Sequence, residues 1–308
     1  MDYREFAPPP RLAPFIRCFW TLRGGDAADR GSPRVERLIP DGSPELVLHL
    51  GDPFEQVDES GGARRTIAQP SALVAGQLRS PLLLSPTGRI DIIAVRFRPA
   101  GLVPFLRGIE GRELVDRRVA IGDLDPALDR ALDPVRSATT PRERLHSLAR
   151  ALSERVSTPA SAARDPIAAA AAAIERSGGA ATLAEICREV GLHERSLQRG
   201  FGRSIGLSPK RLARIVRFQR FFRALAAAPP GGTAGLALDC GYYDQPHLLR
   251  EARELAGSPV GLLDEDTTLS RLFSRTGEGD RADLSGTSKR SGGPEREDAR
   301  IGRRGTRS

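Results

Sequence analysis

An α+β chain is what the sequence predicts. A β-rich domain spans 1–157, a linker 158–164, an all-α domain with two helix-turn-helix units 165–263, and a disordered tail 264–308. Three observations predict it. Short apolar runs separated by Gly and Pro turns fill residues 1–120. Helical periodicity takes over beyond Gly101 and then repeats around Gly191 and Gly241, 50 residues apart. Apolar periodicity stops near Asp264.

Taken in order, Leu12–Leu22 reads as a strand, rich in aromatic and branched side chains (Phe15, Ile16, Phe19, Trp20). Pro40–Pro44 is a turn cluster, followed by the apolar run Glu45–Leu50. Ala72–Gly76, Pro81–Ser85 and Ile90–Arg98 are further strands, and strands this short with such turns suggest a barrel or sandwich. From Gly101 the spacing becomes helical: Leu102, Phe105 and Leu106, then Leu114, Val119, Ile121 and Leu124. Leu128, Leu132, Leu145, Leu148 and Leu152 form the buried stripe of helices over 125–157. The Ser/Ala/Pro-rich stretch after Ser157 is the linker.

The all-α domain opens with Asp165-Pro166, a cap followed by proline at the first helical position. The Ala-rich helix runs to Arg176 and ends at Gly178-Gly179. Thr182 and Glu185 form a capping box, with Leu183, Ile186, Cys187 and Val190 as the apolar face behind it. Gly191 supplies a turn of positive φ. The next helix, His193–Ser204, turns Leu197 and Phe201 inward and Arg195, Gln198, Arg199 and Arg203 outward. A long helix follows from Ser208-Pro209 to Ala226, with Leu212, Ile215, Val216, Phe222 and Leu225 inward. Its arginines at 211, 214, 217, 220 and 223 recur every third residue, a ladder suited to phosphate. After the break at Pro229–Gly232, Thr233–Asp239 is a short helix and Gly241 a second turn. Asp244 caps a last helix that ends at Gly257.

Charge narrows the function. The chain carries a net charge of +8, and residues 182–263 hold 12 basic and 7 acidic side chains, hence +5 of it. A surface that meets phosphate is expected there. Cys18, Cys187 and Cys240 stand alone, without the spacing of a zinc or redox motif, and are expected as small buried side chains in a reducing compartment. The N-terminus lacks a secretory pattern and no apolar run approaches membrane-spanning length, so a cytoplasmic protein is expected.

Residues 165–263 resemble the DNA-binding domain of AraC/XylS-family transcription regulators. The resemblance is carried by Leu-Gln-Arg at 197–199 with Phe201, by Gly206-Leu-Ser-Pro209, by Arg217, and most strongly by Ala237–His247 with Arg250. His193, Gly235 and Ala252 depart from the family pattern, which usually has a small hydroxyl residue, an acid and an aromatic there. Residues 1–150 are similar to the N-terminal domain of one branch of these regulators, through Leu38–Leu46, Gly76-Gln77 and Val95–Pro99. That similarity implies a cupin-like sensing or dimerisation domain.

Carried over residue by residue, the family's base-reading positions fall on Arg195, Gln198 and Arg199 in the first unit and on Pro246, His247 and Arg250 in the second. Arg suits guanine and Gln adenine through paired hydrogen bonds, whereas Pro246 offers only apolar contact. Phosphate contacts are expected from Arg203, Lys210, Arg211, Arg214, Arg217 and Gln245. The implied partners are double-stranded DNA, RNA polymerase, an unknown small-molecule effector and a second copy of the chain, with no membrane. No catalytic residue, metal or cofactor is expected. His49 beside Asp52 reads as a core histidine, and Asp41 and Glu45 either cap their turn or face an effector. The competing reading is a cupin-type enzyme or small-molecule binding protein with an accessory DNA-binding module, separated from the first by metal analysis and turnover.

Overall fold

Two apolar runs, Glu45–His49 and Ile90–Phe97, are buried on both faces, which puts them in the middle of a layered domain. The structure is a computed structural model that describes residues 1–25, 35–58, 64–156, 165–227, 233–260, 267–270, 282 and 284. Its strands are β1 (Asp2–Phe6), β2 (Ile16–Gly24), β3 (Glu36–Leu38), β4 (Glu45–His49), β5 (Glu55–Asp58), β6 (Arg65–Ala68), β7 (Ala72–Ala75), β8 (Leu82–Ser85), β9 (Ile90–Phe97) and β10 (Arg118–Ala120). They form two antiparallel sheets, β1-β2-β9-β4-β7-β10 and β3-β8-β5-β6.

Side chains alternate between the faces of the larger sheet. Trp20, Leu22, Val47, Leu73 and Ile92 face the smaller sheet and meet Phe54, Leu82 and Leu84. Phe19, Leu46, Val74, Val95 and Phe97 face the other way. There α1 (Ile121–Leu124), α2 (Pro126–Ala131), α3 (Asp133–Ser137) and α4 (Pro141–Arg155) cover them with Leu128, Leu132, Leu145, Leu148 and Leu152. Strand β10 corrects the helical reading near Val119, which pairs with Val74 of β7. Residues 10–15 form turns rather than the start of a strand.

The second domain comprises α5 (Pro166–Arg176), α6 (Leu183–Val190), α7 (Glu194–Ser204), α8 (Pro209–Ala227), α9 (Thr233–Asp239) and α10 (Gln245–Ala256). Asp165 accepts from the Ile167 amide at 2.8 Å, and the Thr182–Glu185 capping box forms. Gly191 and Gly241 close the two turns at φ 68° and 82°, a left-handed backbone that costs glycine nothing. Phe218 and Phe221 join the buried face of α8, where Val216 and Leu225 stay half-buried. The expected breaks at 158–164 and 229–232 lie outside the described residues.

The two domains share a core. Ile39 and Ala100 of the first belong to the second domain's apolar cluster. Gln219 of α8 donates to the Pro40 carbonyl at 2.9 Å, and Arg37 donates to that of Ala256 at 3.2 Å. Arg17 of β2 pairs with Glu175 of α5. The expectation of an unstructured segment from 264 is corrected at Thr267–Ser270, where Leu269 is 2% exposed within the inter-sheet cluster. Ala282 bridges Phe6 at the outer edge of β1. Apart from Leu284, packed against the first domain's core, the remainder of 264–308 lies outside the described residues.

Candidate nucleic-acid interface

Helix α7 buries Leu197 and Phe201 and leaves Arg195, Gln198, Arg199 and Arg203 exposed. His193 precedes it without making a side-chain cap bond. Helix α10 is capped by Asp244, which accepts from the His247 amide at 2.6 Å. It buries Leu248, Ala252 and Leu255. Gln245, Pro246 and Arg250 are exposed and His247 is half-buried.

Both helices open onto one groove of about 1040 Å³, whose lining includes Gln198 from α7, Lys210 from α8, and His247 and Arg250 from α10. Arg195 and Arg199 are exposed on α7 but do not line the groove. Within the groove Gln198 donates to Glu194, one turn earlier, at 2.9 Å.

The arginine ladder of α8 departs from expectation. Arg214 and Arg217 each donate to Glu251 of α10 at 2.7 Å. Arg214 and Arg211 also pair with Glu254, and those bonds hold its carboxyl below the ordinary range. Arg217 further stacks over the Tyr242 ring, 5.0 Å from its centroid. Arg211, Arg214 and Arg217, expected at phosphates, are thus each paired within the chain with one or both of two carboxylates. Arg211 also donates to the Arg79 carbonyl of the first domain. Arg203 lies 3.5 Å from Glu110 of that domain but stays largely exposed, so this pair is weak. Lys210 and Gln245 are exposed as expected.

Sequence reasoning missed Glu251, buried at 2% exposure, and Glu254, which shares Arg214 with it. Their three-residue spacing matches that of Arg211, Arg214 and Arg217, but the match means nothing until the two helices are known to face each other. Glu194 lines the groove and Tyr243 stands 88% exposed just before α10, and neither was singled out.

The first domain holds a separate feature. Between the sheets lies a cavity of about 50 Å³, lined by Trp20, Glu45, His49, Phe54, Gln69, Leu84, Arg118 and Leu269 among others. His49 is 7% exposed; its Nε2 lies 3.2 Å from Gln69 Oε1, while its Nδ1 has no partner. Burial lowers its pKa, so the ring is neutral. Glu45 accepts from Trp20 at 3.2 Å and from the buried Arg96 at 2.9 Å. Asp41 accepts from the Ser43 amide at 2.9 Å, the turn-capping role that its position suggested. Among the described residues, no group of three or more His, Cys, Asp or Glu is placed to hold a metal, and no helix is long and apolar enough to cross a membrane.

Two helix-turn-helix units, held by one helix and opening on one groove, define a helix-turn-helix DNA-binding domain. Residues 186–263 match the family described as Helix-turn-helix domain, and residues 4–120 match a Domain of unknown function (DUF6597). The helical half of the chain therefore carries a helix-turn-helix domain. No curated protein matches the chain. Among solved structures it is similar to an apo variant of ToxT from Vibrio cholerae strain SCE256, at 13% identity and TM-score 0.42, covering 84% of this chain and 98% of that one. ToxT from Vibrio cholerae O395 matches at 11% identity and TM-score 0.39, over 80% and 98%. Wild-type ToxT from strain SCE256, bound to an unsaturated fatty acid, matches at 13% identity and TM-score 0.37, over 74% and 92%.

Proposed function

We propose that this regulator reads a specific DNA sequence by inserting α7 and α10 into successive major grooves, about 34 Å apart along the duplex. One observation carries the reading: Gln198 of α7 and Arg250 of α10 line the same groove, together with Lys210 of the connecting helix. Arg195, Gln198 and Arg199 are the base readers of the first unit. Arg250 is the main reader of the second, with His247 and Pro246 beside it. Glu194 can accept from cytosine N4 once Gln198 turns toward a base. Lys210, Arg203 and Gln245 are left to position phosphates.

The test is selection of binding sites from random duplex DNA, followed by affinity measurements across a salt series. A preferred sequence of two half-sites is expected, with affinity falling steeply as salt rises through counterion release. Binding without sequence preference, or with no salt dependence, overturns the reading.

The same proposal gives the inter-sheet cavity to a small-molecule effector. Glu45 lines that cavity and pairs with Arg96, and the turn just before it docks on α8. A Cβ added at Gly42 would lie 2.9 Å from Leu212 of α8. A change in the cavity is therefore mechanically close to the helix that spaces the two readers. Partnership with a second copy and with RNA polymerase belongs to this reading, and sedimentation of the chain with and without DNA tests the former.

A further inference from the structure

The segment after the DNA-binding domain returns to the first domain and enters its interior. Leu269 is 2% exposed and forms part of the lining of the inter-sheet cavity, alongside Trp20, His49 and Phe54. Its backbone is tied down at the same place. The Leu269 amide donates to Glu36 at 3.3 Å, and the Ser270 hydroxyl donates to the Arg37 carbonyl and accepts from the Ile39 amide, both at 2.9 Å. These three bonds occupy groups along β3, at the edge of the smaller sheet. With Leu269 in place about 50 Å³ remains, room for a water or two, whereas sites for small organic ligands run to about 300 Å³ or more.

What remains of the cavity is unsatisfied in one respect. His49 Nδ1 is buried without a partner. Because Nε2 faces the Gln69 carbonyl oxygen, Nε2 carries the proton and Nδ1 presents a lone pair. A buried acceptor of this kind calls for a donor.

We infer that Leu269 and its neighbours are a built-in occupant of this cavity, and that the external ligand is a small, mostly apolar molecule carrying one hydroxyl or N–H donor for His49, which binds by displacing them. The inference deepens the effector reading above and rests on it for the ligand. Displacement has a consequence for the rest of the chain. Releasing Leu269 and Ser270 also frees Glu36, Arg37 and Ile39, and these residues lead directly into the turn that docks on α8. The last helix, α10, is held to the same strand by the bond from Arg37 to Ala256.

Trp20 is the only tryptophan of the chain and lines the cavity, so its fluorescence reports occupancy. The experiment is acrylamide quenching of Trp20 in the full chain and in Leu269→Asp and Leu269→Ala. A carboxylate cannot stay in an apolar cavity, so Leu269→Asp ejects the segment. The expected result is a rise of about threefold in the quenching constant for Leu269→Asp and a smaller rise for Leu269→Ala, with cooperative thermal unfolding retained in both. Unchanged quenching in both variants overturns the inference. Loss of cooperative unfolding in Leu269→Asp also overturns it, since Leu269 is then permanent core. Cyclohexanol is the ligand probe. It should raise the melting temperature of Leu269→Ala more than that of the wild type, and His49→Phe in the Leu269→Ala background should abolish the difference. Equal effects on all three chains overturn the ligand assignment. Failure of sequence-specific DNA binding is a separate measurement; it would sink the regulator reading and leave the quenching result standing.

Discussion

Glu251→Ala should weaken this protein more than any substitution of an exposed reader, although Glu251 lies beneath the groove rather than on the exposed reading face. The carboxylate receives Arg214 and Arg217 at 2.7 Å each and is itself only 2% exposed. A hydrogen bond between charged groups contributes about 1.5–3 kcal/mol when both partners are well buried. Here the arginine side chains keep 26% and 17% exposure, so after substitution they rehydrate in part and the loss is smaller than the simple sum. The result is about 2–3 kcal/mol, set against roughly 3–5 for breaking a fully buried pair. For a unit of this size, each kcal/mol lowers the melting temperature by about 2–4 °C, so a drop of roughly 5–10 °C is expected. Glu251→Gln keeps an acceptor without the charge and should fall between. The assay is thermal unfolding followed by circular dichroism, at low and high salt. A fall that persists at high salt fits a partly buried staple; an exposed pair would be screened. A melting temperature within about 1 °C of wild type would refute the reasoning.

Three further outcomes separate the roles assigned above. Lys210→Ala should lower the salt dependence of DNA binding by about one phosphate contact, whereas Arg214→Ala should leave that slope unchanged and lower the melting temperature; binding isotherms from 50 to 200 mM salt, roughly, read the first and unfolding the second. Arg199→Ala should cost about 1–3 kcal/mol of specific binding and relax the selected sequence at one position, visible in repeated site selection. His49 has a folded-state pKa lowered by burial from an ordinary 6.5, so the unfolded chain binds its proton more readily. The stability His49 confers is complete above about pH 6.5 and declines as pH falls below it. Replacing His49 with Phe should flatten that decline, measured as melting temperature between about pH 7.5 and 5.

Much of this architecture was readable from residue patterns, and the failures have common causes. The long apolar runs that became β4, β7, β8 and β9 were legible because burial on one or both faces leaves little choice of residue. Strands β5 and β6, Glu55–Asp58 and Arg65–Ala68, were not, since short, mostly polar strands look like loops, and β6 is moreover a sheet edge. Val119 sits at a spacing compatible with the preceding helical points, and only its pairing with β7 makes it a strand residue. In the second domain, caps and turn glycines fixed the helix boundaries to within a residue or so. The pairing of the arginine ladder with Glu251 and Glu254 was not legible, because charge spacing along one helix does not reveal the acids on its neighbour. Leu269 was hidden in a stretch of Gly, Ser and charged residues, where one aliphatic side chain carries no periodic signal.

The arginines of α8 show why net charge along a helix does not reveal how many of its cations are already paired within the chain. Five of them recur along 211–223 and make this stretch the most basic in the chain. Yet Arg211, Arg214 and Arg217 are matched by Glu251 and Glu254, so their charge fastens one reader helix to the rod that carries it. Among the described residues that line the groove, the exposed cations are Lys210 and Arg250. The same helix presents its opposite side to the first domain, where Gln219 holds the Pro40 carbonyl and Leu212 meets the turn at Gly42. One element therefore connects α7 to α10, is stapled to α10, and receives the first domain. Under the proposed reading, shifting α8 against its seat on the first domain would move α10 relative to α7 without any new contact at the DNA.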